Sequence, residues 1–304
     1  MAISPPRLLT ALAILAIVLG VGLCAAVVAV GMLLSAPAPA PATIGPPPAD
    51  LVGAETVEIP SASGSRLHGW WVPITNSQGT VVLMHGVRAN RLEMVARAHV
   101  LHDHGYSVLL FDFQAHGESP GRRITFGKLE ALDAVAAVGF ARHRRPGDRV
   151  GVIGVSLGGA ATLLGPQPLA VDALVLESVY PDIDRALSNR LRANLGRIAG
   201  AVFTPILTPA FKLLLPPILG ATPSELRPID HIAQAGVPIL IASGTVDTYT
   251  PLSEAKALFD RAAEPRQFWA VEGAAHVDLE QYDPARYWSV VLPFLDRHVK
   301  EAHR

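Results

Sequence analysis

GVIGVSLGGAAT, residues 151–162, joins an apolar run to a small-residue stretch with the pattern of a helix. Within it, Gly154-Val155-Ser156-Leu157-Gly158 fits G-x-S-x-G. A serine at the tip of a tight strand-to-helix turn needs small neighbours, because the backbone there is strained and the helix packs close to the strand. Such a turn exposes the Ser156 hydroxyl and aims the Leu157 amide at a developing oxyanion near a helix N-terminus. The five-residue pattern alone is weak. The strand pattern RVGVIG before it and the helix pattern GGAATLL after it supply the context that the motif requires.

A serine hydroxyl needs a base, and the base needs an acid to orient it. In open α/β sheets, ligands bind outside the carboxyl ends of the strands, so both partners should follow later strands. Asp247 follows the run PILIAS in SGTVDTYTP, and His276 follows FWAVEG in EGAAHVD. An Asp after a strand is by default a turn residue or a helix cap. Its position between Ser156 and His276 in the chain favours the role of triad acid. Glu177, at the end of the run ALVLE, is the second choice, with a structural role near the elbow as its other reading. His85 and Gly86 follow TVVLM. A simple turn glycine is the plain reading; the functional one makes the Val87 amide a second oxyanion donor, with His85 shaping the loop.

Apolar, β-branched runs recur around this core: residues 80–85, 106–113, 172–177, 238–243 and 266–272, with helical patterns at 91–104, after 127, from 251 and from 284. ETVEI and RLHGWWVP read as a leading antiparallel pair. Strands alternating with helices imply an α/β fold with a mostly parallel central sheet flanked by helices. Residues 182–227 break the rhythm with an apolar, proline-interrupted stretch. A structureless loop of that length is unusual in a compact domain, so an inserted helical cap is expected; a second membrane segment is the rival, and Lys212 and the prolines chop it into short pieces. Leu213, Leu214, Leu215 and Ile218 either line an acyl-binding cleft or pack the cap on the core.

The quoted residues resemble those of α/β-hydrolase-fold serine hydrolases, and are most similar to the monoacylglycerol-lipase and serine-aminopeptidase-like branch. The likeness rests on His85-Gly86, FDFQAHGES (residues 111–119), the GVSLGG elbow, SGTVDTYTP and GAAH, and it runs from about residue 55 to the C-terminus. The resemblance implies hydrolysis of an ester, thioester or amide through an acyl-enzyme, without metal or organic cofactor. It leaves the substrate open, because function lives in the site and not in the fold. It also implies that the insertion covers the pocket. Relatives usually carry Arg or a small residue, then Gly, where this chain has Gln114 and Ala115.

The chain has 304 residues, half of them hydrophobic, and a formal net charge of -1, so no global field draws nucleic acid or an anionic surface. Mean hydropathy is +0.34, high for a soluble protein. The first segment accounts for part of it: residues 8–36 are nearly uncharged, longer than the roughly 20 apolar residues that span a bilayer and than the about 7–15 of a signal peptide. We expect residues 1–35 to be a membrane anchor, residues 36–50 a Pro/Ala-rich semi-rigid spacer, and residues 51–304 the catalytic domain. Signal cleavage near SAPAPAPA, giving a secreted protein, is the alternative. Arg7 before the span and no Lys or Arg after it until Arg66 put the N-terminus in the cytoplasm and the domain outside. The one cysteine, Cys24, excludes an intrachain disulfide, and Leu23 before it disfavours a lipidation box. A nearby membrane makes a small-molecule or lipid-like ester attractive as substrate. His99, His102 and Asp103 share a helical face, where a solvated helix end outweighs a metal site. The basic run at 141–149 reads as a solvated turn and not as a nucleic-acid surface. No Gly-rich phosphate loop is present. A tethered binding module with a vestigial triad is the reading from another class.

Overall fold

The computed structural model describes residues 5–40, 43–276 and 279–300. Along the chain run α1 (Pro5–Ser35), β1 (Ala38–Pro39), β2 (Glu55–Pro60), β3 (Arg66–Val72), β4 (Thr80–Met84), α2 (Val95–Asp103), β5 (Ser107–Phe111), β6 (His116–Gly117), α3 (Lys128–Arg144), β7 (Val150–Val155) and α4 (Leu157–Leu163). They are followed by β8 (Ala173–Glu177), α5 (Ile183–Leu219), α6 (Pro228–His231), β9 (Ile239–Gly244), α7 (Leu252–Arg261), β10 (Arg266–Val271), α8 (Leu279–Tyr282) and α9 (Pro284–His298).

The strands of the main sheet stand in the order β10-β9-β8-β7-β4-β5-β3-β2. Neighbours from β10 to β5 pair in parallel, while β5–β3 and β3–β2 pair antiparallel. The leading pair β2–β3 is antiparallel as expected, but with β3 also antiparallel to β5 the sheet is mixed, where the strand–helix alternation predicts a mostly parallel one. The reason is local: β2 and β3 are joined by a short turn at residues 61–65, which permits only a hairpin, and β3 is then added to β5 in the same sense.

Side-chain alternation splits the core into two layers. Val82, Met84, Leu109, Phe111, Val152 and Leu176 face one side, where α3, α4 and α7 cover them with Ala134, Ala137, Ala160 and Leu258. Val81, Leu83, Val108, Leu110, Ile153 and Val175 face the other, under Ala98 and Leu101 of α2 and Tyr287, Val291 and Leu295 of α9. Strands buried on both faces explain why their sequences read as unbroken apolar runs. After β4 the chain goes to β5 on one side, then returns to β7 on the other. The reversal opens a crevice at the carboxyl ends of β4 and β7, where open sheets bind ligands.

The expected insertion is helical, but not as short pieces. α5 contains Pro205, Pro209, Pro216 and Pro217, and only Gly196 (φ 77°, ψ 175°) leaves helical geometry, dividing it into two arms. The arms are joined by Ser188 with Thr208 (3.2 Å) and Lys212 with Asp184 (2.7 Å). Among the described residues one helix, Leu9–Ser35, is long and apolar enough to cross a membrane.

The Pro/Ala-rich stretch, expected as an extended, semi-rigid spacer, lies against the domain. Its β1 pairs with β6, the Ile44 N–H donates to Glu118 Oε1 (2.9 Å), and Trp70 Nε1 donates to the Gly45 carbonyl (3.3 Å). Extended proline-rich backbone keeps its carbonyls and remaining N–H groups free, and here the domain's rim takes them up.

Candidate active site

Ser156 stands between β7 and α4 at φ 48°, ψ −105°, a conformation that non-glycine residues rarely adopt. Its N–H donates to the Glu177 carbonyl (2.8 Å) and its carbonyl accepts from Ala160 N–H (3.0 Å), so the strained residue is held from both sides. The flanking glycines are required by space. A Cβ on Gly154 would lie 2.7 Å from Gly159 backbone atoms, and one on Gly158 would press into the Met84 carbonyl. Gly86 is different: an added Cβ would make only ordinary contacts, with the Glu93 carboxylate at 3.6 Å and Val155 Cγ1 at 3.8 Å. Its N–H donates to Glu93 Oε2 (2.8 Å), which ties the loop after β4 to the helical turn that follows.

Leu157 opens α4, so its N–H has no acceptor within the helix. Val87 lines the same pocket as Ser156 and Leu157. Among the described residues, neither N–H donates to a protein acceptor.

Asp247 follows β9 and His276 follows β10, in adjacent loops on one rim. His276 Nδ1 donates to Asp247 Oδ2 (2.8 Å), and among the described residues Nε2 has no protein hydrogen-bond partner. Asp247 Oδ1 accepts the N–H groups of Tyr249 and Thr250, both at 2.8 Å, and Thr250 Oγ1 donates to Oδ2 at 2.6 Å. Burial pushes the Asp247 carboxyl up, but the His276 contact and the Thr250 hydrogen bonds outweigh it and hold the group below its ordinary value. It stays a carboxylate facing the His276 ring. Asp247 also makes the turn contacts that the plain reading of a post-strand Asp predicts, so the two readings are met by different oxygens.

Ser156 and His276 line one pocket with Val87, Phe126, Leu157, Tyr180, Ile183, Leu187, Leu219, Tyr249 and Thr250. Two apolar walls close it: Ile183, Ala186, Leu187 and Leu219 come from α5, and Leu34 comes from the end of α1. The cleft residues suggested by the sequence are a turn off. Leu213 is 77% exposed, and Leu219 takes the place expected of Leu213, Leu214 or Ile218. The Leu215 side chain lies outside the described residues. Tyr249, Thr250 and Leu34 carry no motif that would single them out. Thr250 had one faint signal, its place at the Thr-Pro start of α7.

His85 is fully buried and acts as a bracket. Its Nδ1 donates to the Gly86 carbonyl (2.7 Å), and Nε2 accepts from Phe113 N–H (3.1 Å). Burial, with the nearby His116 and Arg91, lowers its pKa to about 3, so the ring is neutral and is not an acid–base group near pH 7. The loop where the chain departs from its relatives is accommodated by Gln114, which donates to the Arg123 carbonyl (2.7 Å) and to Glu130 Oε1 (2.8 Å). Ala115 adopts φ 59°, which explains why a glycine would be at home there.

Glu177 is 1% exposed and faces Arg97 (2.9 Å) and the Tyr287 hydroxyl, away from the Asp247–His276 pair. Asp182 caps α5 through Arg185 N–H. His99 lies 3.6 Å from Asp50, and His104 Nδ1 contacts the carbonyl of Val100. The basic run is paired: Arg142 with Asp172, Arg144 with Glu55, Arg145 with Asp148. Among the described residues no group of His, Cys, Asp and Glu is arranged to hold a metal.

Sheet, crevice and elbow define the molecule as a serine-hydrolase, esterase-type α/β-hydrolase. Comparison with known proteins agrees. Residues 75–213 match the family model described as Serine aminopeptidase, S33. The esterase Pf2001 of Pyrococcus furiosus superposes with a TM-score of 0.69 at 26% identity, over 88% of this chain and 98% of that one. The esterase of Exiguobacterium antarcticum shares the fold, with a TM-score of 0.58 at 16% identity over 80% of this chain and 100% of that one. The uncharacterized protein Rv2307c of Mycobacterium tuberculosis is 31% identical over 265 residues, 85% of this chain and 83% of its own length. The uncharacterized protein YqkD of Bacillus subtilis is 26% identical over 242 residues, 78% of each chain. The chain belongs to the same family as the mycobacterial protein, a family of α/β-hydrolase-fold, esterase/lipase-like proteins.

Proposed function

We propose that the protein is a serine hydrolase that cleaves carboxylic esters through an acyl-enzyme, with Ser156 as nucleophile, His276 as base and Asp247 as orienting acid. The observation that carries this is the Asp247–His276 hydrogen bond at 2.8 Å beside the pocket that also exposes the strained Ser156. His276 Nε2 takes the hydroxyl proton as Ser156 Oγ attacks the ester carbonyl. The N–H groups of Leu157 and Val87 take the oxyanion, a contribution of about 2.7–4 kcal/mol for each such donor. The protonated His276 then gives its proton to the leaving alcohol. In the second half it deprotonates water, which attacks the acyl carbon, and Ser156 recovers its proton as the acid departs. The apolar lining favours a lipophilic acyl group.

On this reading residues 1–35 are the anchor and residues 51–304 the catalytic domain, on the non-cytoplasmic side, with α5 as its cap. Support comes from the length and hydropathy of Leu9–Ser35 and from the charge bias around it. The test is turnover of p-nitrophenyl esters from acetyl to palmitoyl by the full chain and by Ser156→Ala. The variant should lose on the order of 10⁶-fold in kcat. Equal turnover by the two proteins would sink the serine mechanism.

A second reading, amide hydrolysis, is favoured by the description of the matching family model as an aminopeptidase. Matched p-nitroanilides decide it: anilide turnover that exceeds ester turnover in kcat/KM replaces the ester assignment. Failure of a fluorophosphonate probe to label Ser156 would make the protein a binding module.

A further inference from the structure

α1 is 31 residues long. At about 1.5 Å per residue it reaches roughly 46 Å, well beyond the about 30 Å of a bilayer's hydrocarbon core. The two ends of the helix behave differently. Leu9, Leu12, Ile14, Leu15, Ile17 and Val18 are all more than half exposed. Towards the C-terminus, Val27, Gly31 and Ser35 are buried and Leu34 is half-buried. These positions lie four, seven and eight residues after Val27, one face of a helix. That face packs on α5.

The end of the helix is tied to the catalytic loops. The Ser35 carbonyl accepts from Ile124 N–H (2.7 Å), and Arg88, next to Val87, reaches the carbonyls of Leu33 (3.5 Å) and Ala36 (3.4 Å). A cation on the last carbonyls suits the negative end of a helix. Leu34 then faces the pocket of Ser156 and His276. The cap carries exposed apolar side chains: Leu195, Ile198 (84% exposed), Val202 and Phe203 about the Gly196 turn, and Leu213 further along the second arm. These side chains belong to the element on which α1 packs.

We infer that the last turns of α1 are a fixed wall of the substrate pocket, and that α1 and the cap together hold the pocket mouth against the lipid surface, so the substrate is a long-chain ester taken directly from the bilayer. The occupant of the exposed apolar face is lipid. The inference rests on the ester-hydrolase reading and on α1 as a membrane helix. It makes the helix part of the enzyme and not a tether only.

The full chain is reconstituted in vesicles of diether phosphatidylcholine, which contain no ester for the enzyme to cut. Two substrates are compared: 4-methylumbelliferyl oleate dissolved in the bilayer and water-soluble 4-methylumbelliferyl acetate. The double variant Ile198→Asp/Val202→Asp, on exposed positions, should lose at least tenfold on the oleate and keep its rate on the acetate. Equal effects on both, or none, overturn lipid loading. Leu34→Trp should shift the preferred acyl length to shorter chains; an unchanged chain-length profile overturns the wall.

A readout without turnover separates these outcomes from failure of the hydrolase reading, which would appear as no acetate hydrolysis by the wild type. Phe203→Trp adds a fluorophore to the cap, and its emission above the wild-type background should be quenched by phosphatidylcholine brominated in its acyl chains. No added quenching overturns the placement at lipid. No quenching together with a doubled mass would give the face to a second copy of the chain.

Discussion

Asp247 accepts four hydrogen bonds, and they divide its labour. The two N–H groups on Oδ1 fix the carboxylate to the start of α7, while Oδ2 faces His276 and the Thr250 hydroxyl. Removal of the charge by Asp247→Asn should lower kcat by about 10⁴-fold, as expected when the histidine loses its orienting acid. Thr250→Val deletes one hydrogen bond to a charged group, an interaction of about 1.5–3 kcal/mol. We expect kcat to fall roughly ten- to a hundredfold with KM little changed. Steady-state kinetics on a soluble ester check both variants. A Thr250→Val enzyme with wild-type kcat would show that the backbone alone aims Asp247. Ser156, Asp247 and His276, the proposed nucleophile, acid and base, were legible in the sequence because each follows a strand pattern of its own. Thr250 was marked only by its place at the start of α7, because its hydroxyl reaches Asp247 Oδ2 only once the loop after β9 has folded back on itself.

At the scale of one element, α5 shows how propensity yields to packing. Its prolines predict a broken stretch, yet Pro205, Pro209, Pro216 and Pro217 all lie inside the helix. Each proline deletes one backbone donor and disfavours helix in isolation. Contacts with α1, the cross-arm pairs, and Asn189 bonding the Tyr249 carbonyl (3.2 Å) and Glu254 (2.9 Å) hold the element in place. The break falls instead at Gly196, whose backbone region is open only to glycine. A Cβ there meets nothing within 4 Å, so Gly196→Ala tests torsional strain alone. We expect a loss of about 1–3 kcal/mol in the order of the cap, seen as faster proteolytic nicking between the two arms. An unchanged nicking rate would mean that the turn tolerates side chains and that the cap's hinge lies elsewhere.

The whole molecule should respond to pH through groups buried behind the site. His85 has a folded pKa of about 3 against an ordinary 6.5, because burial disfavours its charged form. The unfolded chain therefore binds a proton that the folded one refuses, and the stability His85 contributes, complete above pH 6.5, declines as pH falls towards 3. Between pH 6.5 and 5 this amounts to about 2 kcal/mol. His116 is pushed down by burial as well and acts in the same sense. Asp133 opposes them: burial raises its carboxyl to about 7, against the hydrogen bonds of Ser61, Ser63 and Gln114, so its contribution is lost as pH rises from about 4 through 7. The His85 share is read as the difference between wild type and His85→Gln in denaturant midpoints at pH 7 and pH 5. Wild type should lose more on acidification than the variant; parallel losses would show that His85 takes up its proton in the folded state.

The G-x-S-x-G turn at Ser156, the chain order Ser156, Asp247, His276, the α/β alternation and the apolar N-terminal helix were all legible in the sequence itself. Each follows from local chemistry: glycine spacing around a strained serine, apolar runs of strand length, and a span longer than a signal. Three features were decided only by tertiary structure. The antiparallel pairing of β3 with β5 depends on which edge of the sheet the β2–β3 hairpin joins. The pocket walls depend on which face of α5 turns inward, so Leu219 is in and Leu213 is out. The docking of Leu34 beside Ser156 joins positions 122 residues apart, between which no local pattern carries information. Burial is a property of the assembled layers, and a side chain's neighbours across a crevice are set by strand order, which one-dimensional periodicity does not encode.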